Sequence, residues 1–178
     1  QLSNKPPSAL QTRKALLSII KRLFNKKNRT IKGIYLWGSV GRGKTVMMDT
    51  LLNNLPHSLY LRMHFHRFIN EIHEKLRSLK NQSDPLKIVG KKLSSSIRVL
   101  ALDEISVIDI SDAMILYGLL ESLTDHGVVL IFTSNTPPDL LYEGGLSRER
   151  FIPAIRLIQQ FTEVIEIPGS RDYRLESM

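Results

Sequence analysis

Residues 38–45 read Gly-Ser-Val-Gly-Arg-Gly-Lys-Thr and fill the phosphate-binding pattern G-x-x-x-x-G-K-[ST] completely. Glycines let such a loop curl, so that backbone N–H groups converge on a phosphate at the start of a helix. Lys44 is expected to reach the β- and γ-phosphate oxygens, and the Thr45 hydroxyl is expected to contact Mg²⁺. The sequence therefore predicts a nucleoside triphosphate site. Its predicted contacts are Gly38, Ser39, Val40, Gly41, Arg42, Gly43, Lys44 and Thr45.

A pair of acids, Asp103 and Glu104, follows an apolar run at residues 99–102. Such a strand would deliver both side chains to the carboxyl edge of a parallel sheet, where the phosphate loop also opens. Asp103 is suited to hold the Mg²⁺ shell through water. Glu104 has no arginine or lysine beside it in the sequence, so it is suited to orient and deprotonate a water molecule. The pair predicts hydrolysis rather than transfer of phosphate to a substrate.

A polar amide, Asn135, follows another apolar run at residues 128–133. At the end of a strand near the phosphates, it could hold the attacking water or a γ-phosphate oxygen, which makes it a candidate γ-phosphate sensor. The surrounding Ser-Asn-Thr-Pro-Pro sequence is also typical of an ordinary turn that ends a strand.

Strand and helix patterns alternate along the rest of the chain. Helices between successive strands imply crossover connections, so we predict an α/β fold with a parallel sheet covered on both faces. Residues 81–85 and 91–96 are predicted to be loops. The predicted strands cover residues 33–37, 59–65, 97–103, 128–133 and 161–167, and the predicted helices cover 46–54, 67–79 and 111–124.

The positive charge of the chain is concentrated at its front. The net charge is +8, and the first 48 residues hold eleven Lys or Arg and no acid. Residues 8–24 combine basic residues with apolar residues at helical spacing, which predicts an amphipathic helix docked on the core. The alternative is a basic surface for nucleic acid, anionic lipid or an acidic protein. We expect a basic helix and linker over residues 1–30 and one nucleotide-binding core over 31–178.

The amino-acid composition argues against several classes of protein and of binding site. The chain has no cysteine, which excludes a disulfide framework or thiolate metal site and favours a reducing compartment. No apolar run approaches the roughly 20 residues that span a bilayer, so a soluble protein is expected. His64, His66 and His73 lack a cysteine or spaced carboxylate to complete a metal shell, so no metal site is predicted at these histidines.

Together these motifs resemble those of AAA+ ATPases, and more narrowly the family of the bacterial cell-division ATPase ZapE and its mitochondrial AFG-like relatives. The resemblance covers residues 30–174. The segments that carry it are 33–45, 64–68 (His-Phe-His-Arg-Phe), 109–114, 133–142, 145–148 with 151–155, and 172–174.

The resemblance implies a three-layer P-loop fold with a five-stranded sheet in the order 5-1-4-3-2. This order would place Asn135 between the phosphate loop and the acid pair. It also implies ATP and Mg²⁺ as cofactors, and subunits in a ring or transient oligomer, with an arginine of one subunit at the γ-phosphate of the next. Arg148 matches the family's Gly-Leu-x-Arg position, and Arg150 is the second candidate; the alternative is that both make surface contacts at a helix start. The helical lid usual in AAA+ proteins does not follow strand five in this sequence.

Two functions from different classes remain open. The first is a ZapE-like ATPase that remodels a protein client, which would be the division ring (FtsZ) in the bacterial cytoplasm or membrane-complex subunits in the mitochondrial matrix. The second is a nucleic-acid-associated ATPase of the helicase-loader type. DNA affinity that falls steeply with salt and depends on Lys21, Arg22, Lys26 and Lys27 would favour the second. A third hypothesis is a binding module that is switched by nucleotide and hydrolyses it too slowly to matter. The presence of Glu104 argues against this hypothesis.

Overall fold

Five parallel strands form one sheet in the computed structural model, which describes residues 31–79 and 81–167. The strand order is β2-β3-β4-β1-β5, which is the predicted order read from the other edge. The α/β prediction and the strand order are therefore both confirmed. The strands are β1 (Gly33–Trp37), β2 (Tyr60–His64), β3 (Val99–Asp103), β4 (Val129–Ser134) and β5 (Thr162–Glu166).

Five α-helices cover the sheet within the described residues. They are α1 (Lys44–Leu52), α2 (Phe65–Ser78), α3 (Pro85–Ser96), α4 (Ile110–Asp125) and α5 (Ile152–Phe161). Short 3₁₀ turns occupy His57–Leu59, Pro138–Leu140 and Arg148–Arg150. None of these helices is both long and apolar enough to cross a bilayer.

Alternate residues of each strand enter two separate cores, one on each face of the sheet. In β1, Tyr35 packs in the core that also contains residues of α2–α5, whereas Ile34 and Leu36 pack with α1. All residues of β3 and β4 are buried, because central parallel strands are covered on both faces. This covering explains their almost continuous apolar sequences.

The strand ends bring the polar residues to one edge of the sheet. Trp37 at the end of β1 is in register with Ser134 at the end of β4, and His64 at the end of β2 is in register with Asp103. Since β4 lies between β1 and β3, Asn135 follows the strand that separates the phosphate loop from the acid pair.

The loop prediction for residues 91–96 is wrong, because they form the second half of α3. Serine is a modest helix former, so local propensity gives little signal here. The helix is held by packing on α4: a Cβ added at Gly90 would lie 2.3 Å from Ser122 Oγ, so the two helices approach closely. Pro85 at the first helical turn supplies the start.

The observed elements differ from the predicted ones in smaller ways elsewhere in the chain. The strand expected at 59–65 ends at His64, and α2 begins at Phe65 rather than at residue 67. Helix α5 was not predicted; it carries a proline in its first turn. The predicted N-terminal helix and the segment 172–174 lie outside the described residues.

Candidate functional site

The phosphate loop joins the end of β1 to the start of α1. Gly43, which precedes the first residue of α1, has a φ of 78°, in the left-handed region that favours glycine. A Cβ placed there would meet no atom within 4 Å, so the requirement is conformational and the space in front of the loop stays open. Gly38 has a different role, because a Cβ there would lie 2.7 Å from the Ile167 carbonyl oxygen.

The Lys44 ammonium lies against its own loop. Its Nζ donates hydrogen bonds to the carbonyl oxygens of Gly38 at 2.6 Å and Ser39 at 2.9 Å, and to Asn135 Oδ1 at 3.0 Å. Burial lowers the pKa of Lys44, and the nearby charge of Glu104 acts in the opposite direction. Three acceptors use all three ammonium protons, so nucleotide phosphates would have to replace some of them.

Asn135 is placed beside the phosphate loop, as the strand order predicts. Its amide oxygen accepts the hydrogen bond from Lys44, which leaves the amide NH₂ as a donor. The side chain is exposed at the sheet edge. The turn that follows β4 therefore brings a polar group into direct contact with the phosphate-loop lysine.

The acid pair lies at a bend that the end of β4 holds in place. Glu104 has a φ of 57°, a left-handed conformation that costs a non-glycine residue about 1–2 kcal/mol. Its N–H donates to Thr133 Oγ1 at 2.9 Å, and the Ile105 N–H donates to the Thr133 carbonyl at 2.8 Å. The bend separates the two acids: Asp103 is 6% exposed, whereas Glu104 is exposed at the sheet edge.

Arg62 in β2 forms two ion pairs that link three elements of the site. Its Nε donates to Asp103 Oδ2 at 2.8 Å, and its Nη1 pairs with Asp49 Oδ1 on α1. Burial lowers the pKa of Arg62, but the hydrogen bonds and charges of Asp103 and Asp49 outweigh it and the net pKa is raised. Sequence analysis missed this residue; the available signal was a charged residue between the apolar Leu61 and Met63 of a strand.

Replacing Arg62 with methionine is expected to lower the free energy of unfolding by about 1–3 kcal/mol, because it leaves a buried carboxylate without its partner. Asp49→Asn is the matched comparison and is expected to cost at most about 1 kcal/mol, since the Asp49 side chain is 44% exposed. Urea unfolding of both variants measures the difference. Equal losses in the two variants would contradict the importance of the Arg62–Asp103 pair.

The oxygen donors of the site fit a magnesium ion that arrives with a nucleotide. The Thr45 hydroxyl is exposed in the first turn of α1, and Asp103 Oδ1 makes only a long 3.5 Å contact with the Thr133 hydroxyl. Mg²⁺ is usually bound by one or two carboxylates together with substrate phosphates and waters. Within residues 31–79 and 81–167, no cluster of three or more His, Cys, Asp or Glu could hold a metal ion by itself.

Comparison with known proteins identifies the family of this chain. The family model described as AFG1-like ATPase matches residues 2–178. The chain belongs to the AFG1-like ATPase family. The resemblance inferred from the motifs is thereby confirmed.

This AFG1-like ATPase chain is 42% identical to the cell division protein ZapE of Escherichia coli K12 over 182 residues, covering 100% of the chain and 48% of ZapE. It thus spans about half the length of that relative. Among solved structures, DnaI matches with a TM-score of 0.63 and 21% identity, covering 97% of this chain and 87% of DnaI. The DnaC helicase loader matches with a TM-score of 0.62 and 18% identity, covering 94% and 95%. These structural matches show a shared fold.

The two candidate arginines of this AFG1-like ATPase differ in their surroundings. Arg148 donates from its guanidinium to the Asp139 carbonyl oxygen at 2.5 Å, and its Nε is buried without a hydrogen-bond partner among the described residues. Gln159 also contacts Asp139, through the carboxylate at 2.7 Å. Arg150 is exposed. Among the described residues, no hydrogen bond or ion pair connects either arginine to the phosphate loop of the same chain.

The His-Phe-His-Arg-Phe segment of this AFG1-like ATPase divides between core and surface. Phe65 and Phe68 are buried in the core, as expected from packing, whereas His64, His66 and Arg67 are exposed. His73, later in α2, contacts Asp112 on α4 at 3.0 Å.

Proposed function

We propose that this chain binds ATP together with Mg²⁺ and hydrolyses the γ-phosphate. The observation that carries the proposal is the meeting of Lys44, Asn135, Asp103 and Glu104 at one edge of three adjacent parallel strands. Membership of the AFG1-like ATPase family supports the same activity. The bend at Glu104 supports hydrolysis, because it exposes one carboxylate beside Lys44 while it keeps the other buried.

In the proposed reaction, the N–H groups of residues 38–45 and the Lys44 ammonium hold the β- and γ-phosphates. The Asn135 amide donates to a γ-phosphate oxygen or to the attacking water. Glu104 takes a proton from that water as its oxygen attacks the γ-phosphorus and the bond from this phosphorus to the β–γ bridging oxygen breaks. Thr45 and Asp103 would hold Mg²⁺, which when bound neutralises phosphate charge.

We further propose that the active site is completed by a neighbouring copy of the chain. Arg148, or Arg150 in its place, would supply positive charge to the γ-phosphate of the next subunit. The exposed Glu104 and Asn135 support an open site that a second subunit can cover.

For the whole protein, we propose that hydrolysis remodels a protein client of bacterial cell division in the cytoplasm. The identity to the cell division protein ZapE supports this proposal. The likeness to DnaI and the DnaC helicase loader lies at 18–21% identity and concerns the fold, so it does not favour a nucleic-acid function.

ATP turnover measured against protein concentration tests the shared-site proposal. Turnover per subunit is expected to rise with concentration, because each site needs a neighbour, and to fall to background in Lys44→Ala at every concentration. Turnover per subunit that is independent of concentration would contradict a shared site, and tight ATP binding without turnover would contradict hydrolysis by this chain.

A further inference from the structure

An open groove lies between the last turn of α2 and the outer side of α3, with a volume of about 300 Å³. Its apolar lining comes from four aliphatic side chains, and its polar lining consists of two lysines and two serines. The residues are Lys75, Ser78, Leu79, Ile88, Val89, Lys92, Leu93 and Ser96.

The groove combines an apolar floor with exposed apolar surface. Val89 is 4% exposed and closes the bottom, whereas Ile88 is 38% exposed beside it. Leu79 and Leu93 are half-buried. A groove between two helices with aliphatic residues along it is the kind of surface that accepts the apolar face of another helix.

Both charged residues of the groove are lysines, and neither forms an ion pair within the described part of the chain. Lys87 on the same helix differs, because it lies 3.8 Å from Asp84. Lys75 and Lys92 therefore place positive charge without a paired acid beside the apolar floor. Carboxylates of a bound partner would complement that charge.

We propose that this groove binds a helical segment of a partner protein that carries aliphatic side chains on one face and carboxylates beside them. The charge argues against the chain's own front end as the occupant, since residues 1–30 contain eight Lys or Arg and no Asp or Glu. Like charges at Lys75 and Lys92 would repel that segment.

The groove is separate from the proposed nucleotide site. Helix α2 begins directly after β2, at the sheet edge where the acid pair lies, and Lys75 and Ser78 are in its last turn. At 1.5 Å per residue, they lie about 15–20 Å along the helix from its start. Because the groove is a separate surface from the nucleotide site, peptide binding to it is measured without nucleotide.

The test is fluorescence anisotropy with the full chain and a short labelled peptide that has leucines at positions i, i+3, i+4 and i+7 and glutamates beside them. The peptide is expected to bind at least about tenfold more tightly than a twin with lysines in place of the glutamates. Lys92→Glu and Ile88→Asp are each expected to weaken binding by about tenfold or more. Both side chains are exposed, so the folding of these variants, checked by thermal melting, is expected to be preserved.

Lys91→Glu is the matched control, because Lys91 is exposed on the same helix but does not line the groove. Lys91 makes no direct contact with the groove, and salt screens its longer-range attraction for the peptide, so this variant is expected to weaken binding by no more than about threefold, clearly less than Lys92→Glu. Equal weakening by Lys91→Glu and Lys92→Glu, or equal binding of the two peptides, would overturn the proposal.

Evidence that the groove binds a lipid surface or a second copy of the chain would also overturn the proposal. Binding of phosphatidylglycerol vesicles that is lost in Ile88→Asp, without peptide binding, would assign the groove to a lipid surface. A concentration-dependent dimer in sedimentation that Ile88→Asp abolishes would assign it to a second copy of the chain.

Discussion

Exchange of Glu104 for glutamine is expected to lower ATP turnover by about 10²–10⁴-fold, which is the usual contribution of a positioned general base. Glutamine keeps the size and hydrogen-bonding ability of the side chain but cannot accept the proton of the attacking water. ATP affinity is expected to stay within about threefold, because the exposed Glu104 side chain contributes to proton transfer rather than to phosphate binding. Single-turnover hydrolysis and equilibrium ATP binding, measured on the same protein, separate the two effects.

Glu163→Gln is the matched control, since Glu163 is an exposed glutamate of β5. This control is expected to hydrolyse ATP at the wild-type rate. A loss of turnover in Glu104→Gln that is accompanied by an equal loss of ATP binding would indicate a disturbed bend rather than a missing base. The φ of 57° at Glu104 makes this distinction necessary, because the same residue sets the local backbone and carries the proposed chemistry.

The parts of the site that depend on neighbouring residues in the sequence were predictable. The phosphate loop is a contiguous pattern, and the acid pair directly follows a buried strand, so both could be located without the structure. The sheet order, in contrast, came from the family resemblance, because helical spacing alone does not say which strands are neighbours. The order then placed Asn135 correctly beside Lys44.

The parts that depend on distant packing were not predictable. Arg62 and Asp103 are 41 positions apart and meet only because β2 and β3 pair in a register that places both side chains on one side of the sheet. The second half of α3 is rich in lysine and serine, and the helix packs on α4, which it approaches closely where Gly90 faces Ser122. In both cases the structure is determined by packing against another strand or helix, and the local sequence does not reveal that packing.

The second large effect is expected at the arginine of the neighbouring subunit. An arginine finger typically contributes about 10³–10⁵ in rate, so Arg148→Ala is expected to reduce turnover by that factor if Arg148 completes the site of the next copy. The family pattern assigns the role to Arg148, but its bond to the Asp139 carbonyl gives an alternative reason for a loss of activity. A single variant therefore does not separate catalysis in the neighbouring site from anchoring of the loop.

Mixing two inactive variants separates these explanations. Arg148→Ala retains its own Lys44 and Glu104, whereas Lys44→Ala retains an intact arginine. A complete shared site therefore forms wherever an Arg148→Ala subunit receives the arginine of a Lys44→Ala neighbour. For random head-to-tail assembly of equal amounts, about a quarter of all subunits would have a complete site, and turnover is expected to recover to about that fraction of wild type. Recovery with Arg150→Ala instead of Arg148→Ala would reassign the finger to Arg150. Absence of recovery with both, together with a lower unfolding midpoint for Arg148→Ala, would show that Arg148 acts by holding residue 139 of its own chain, and the shared-site proposal would fail.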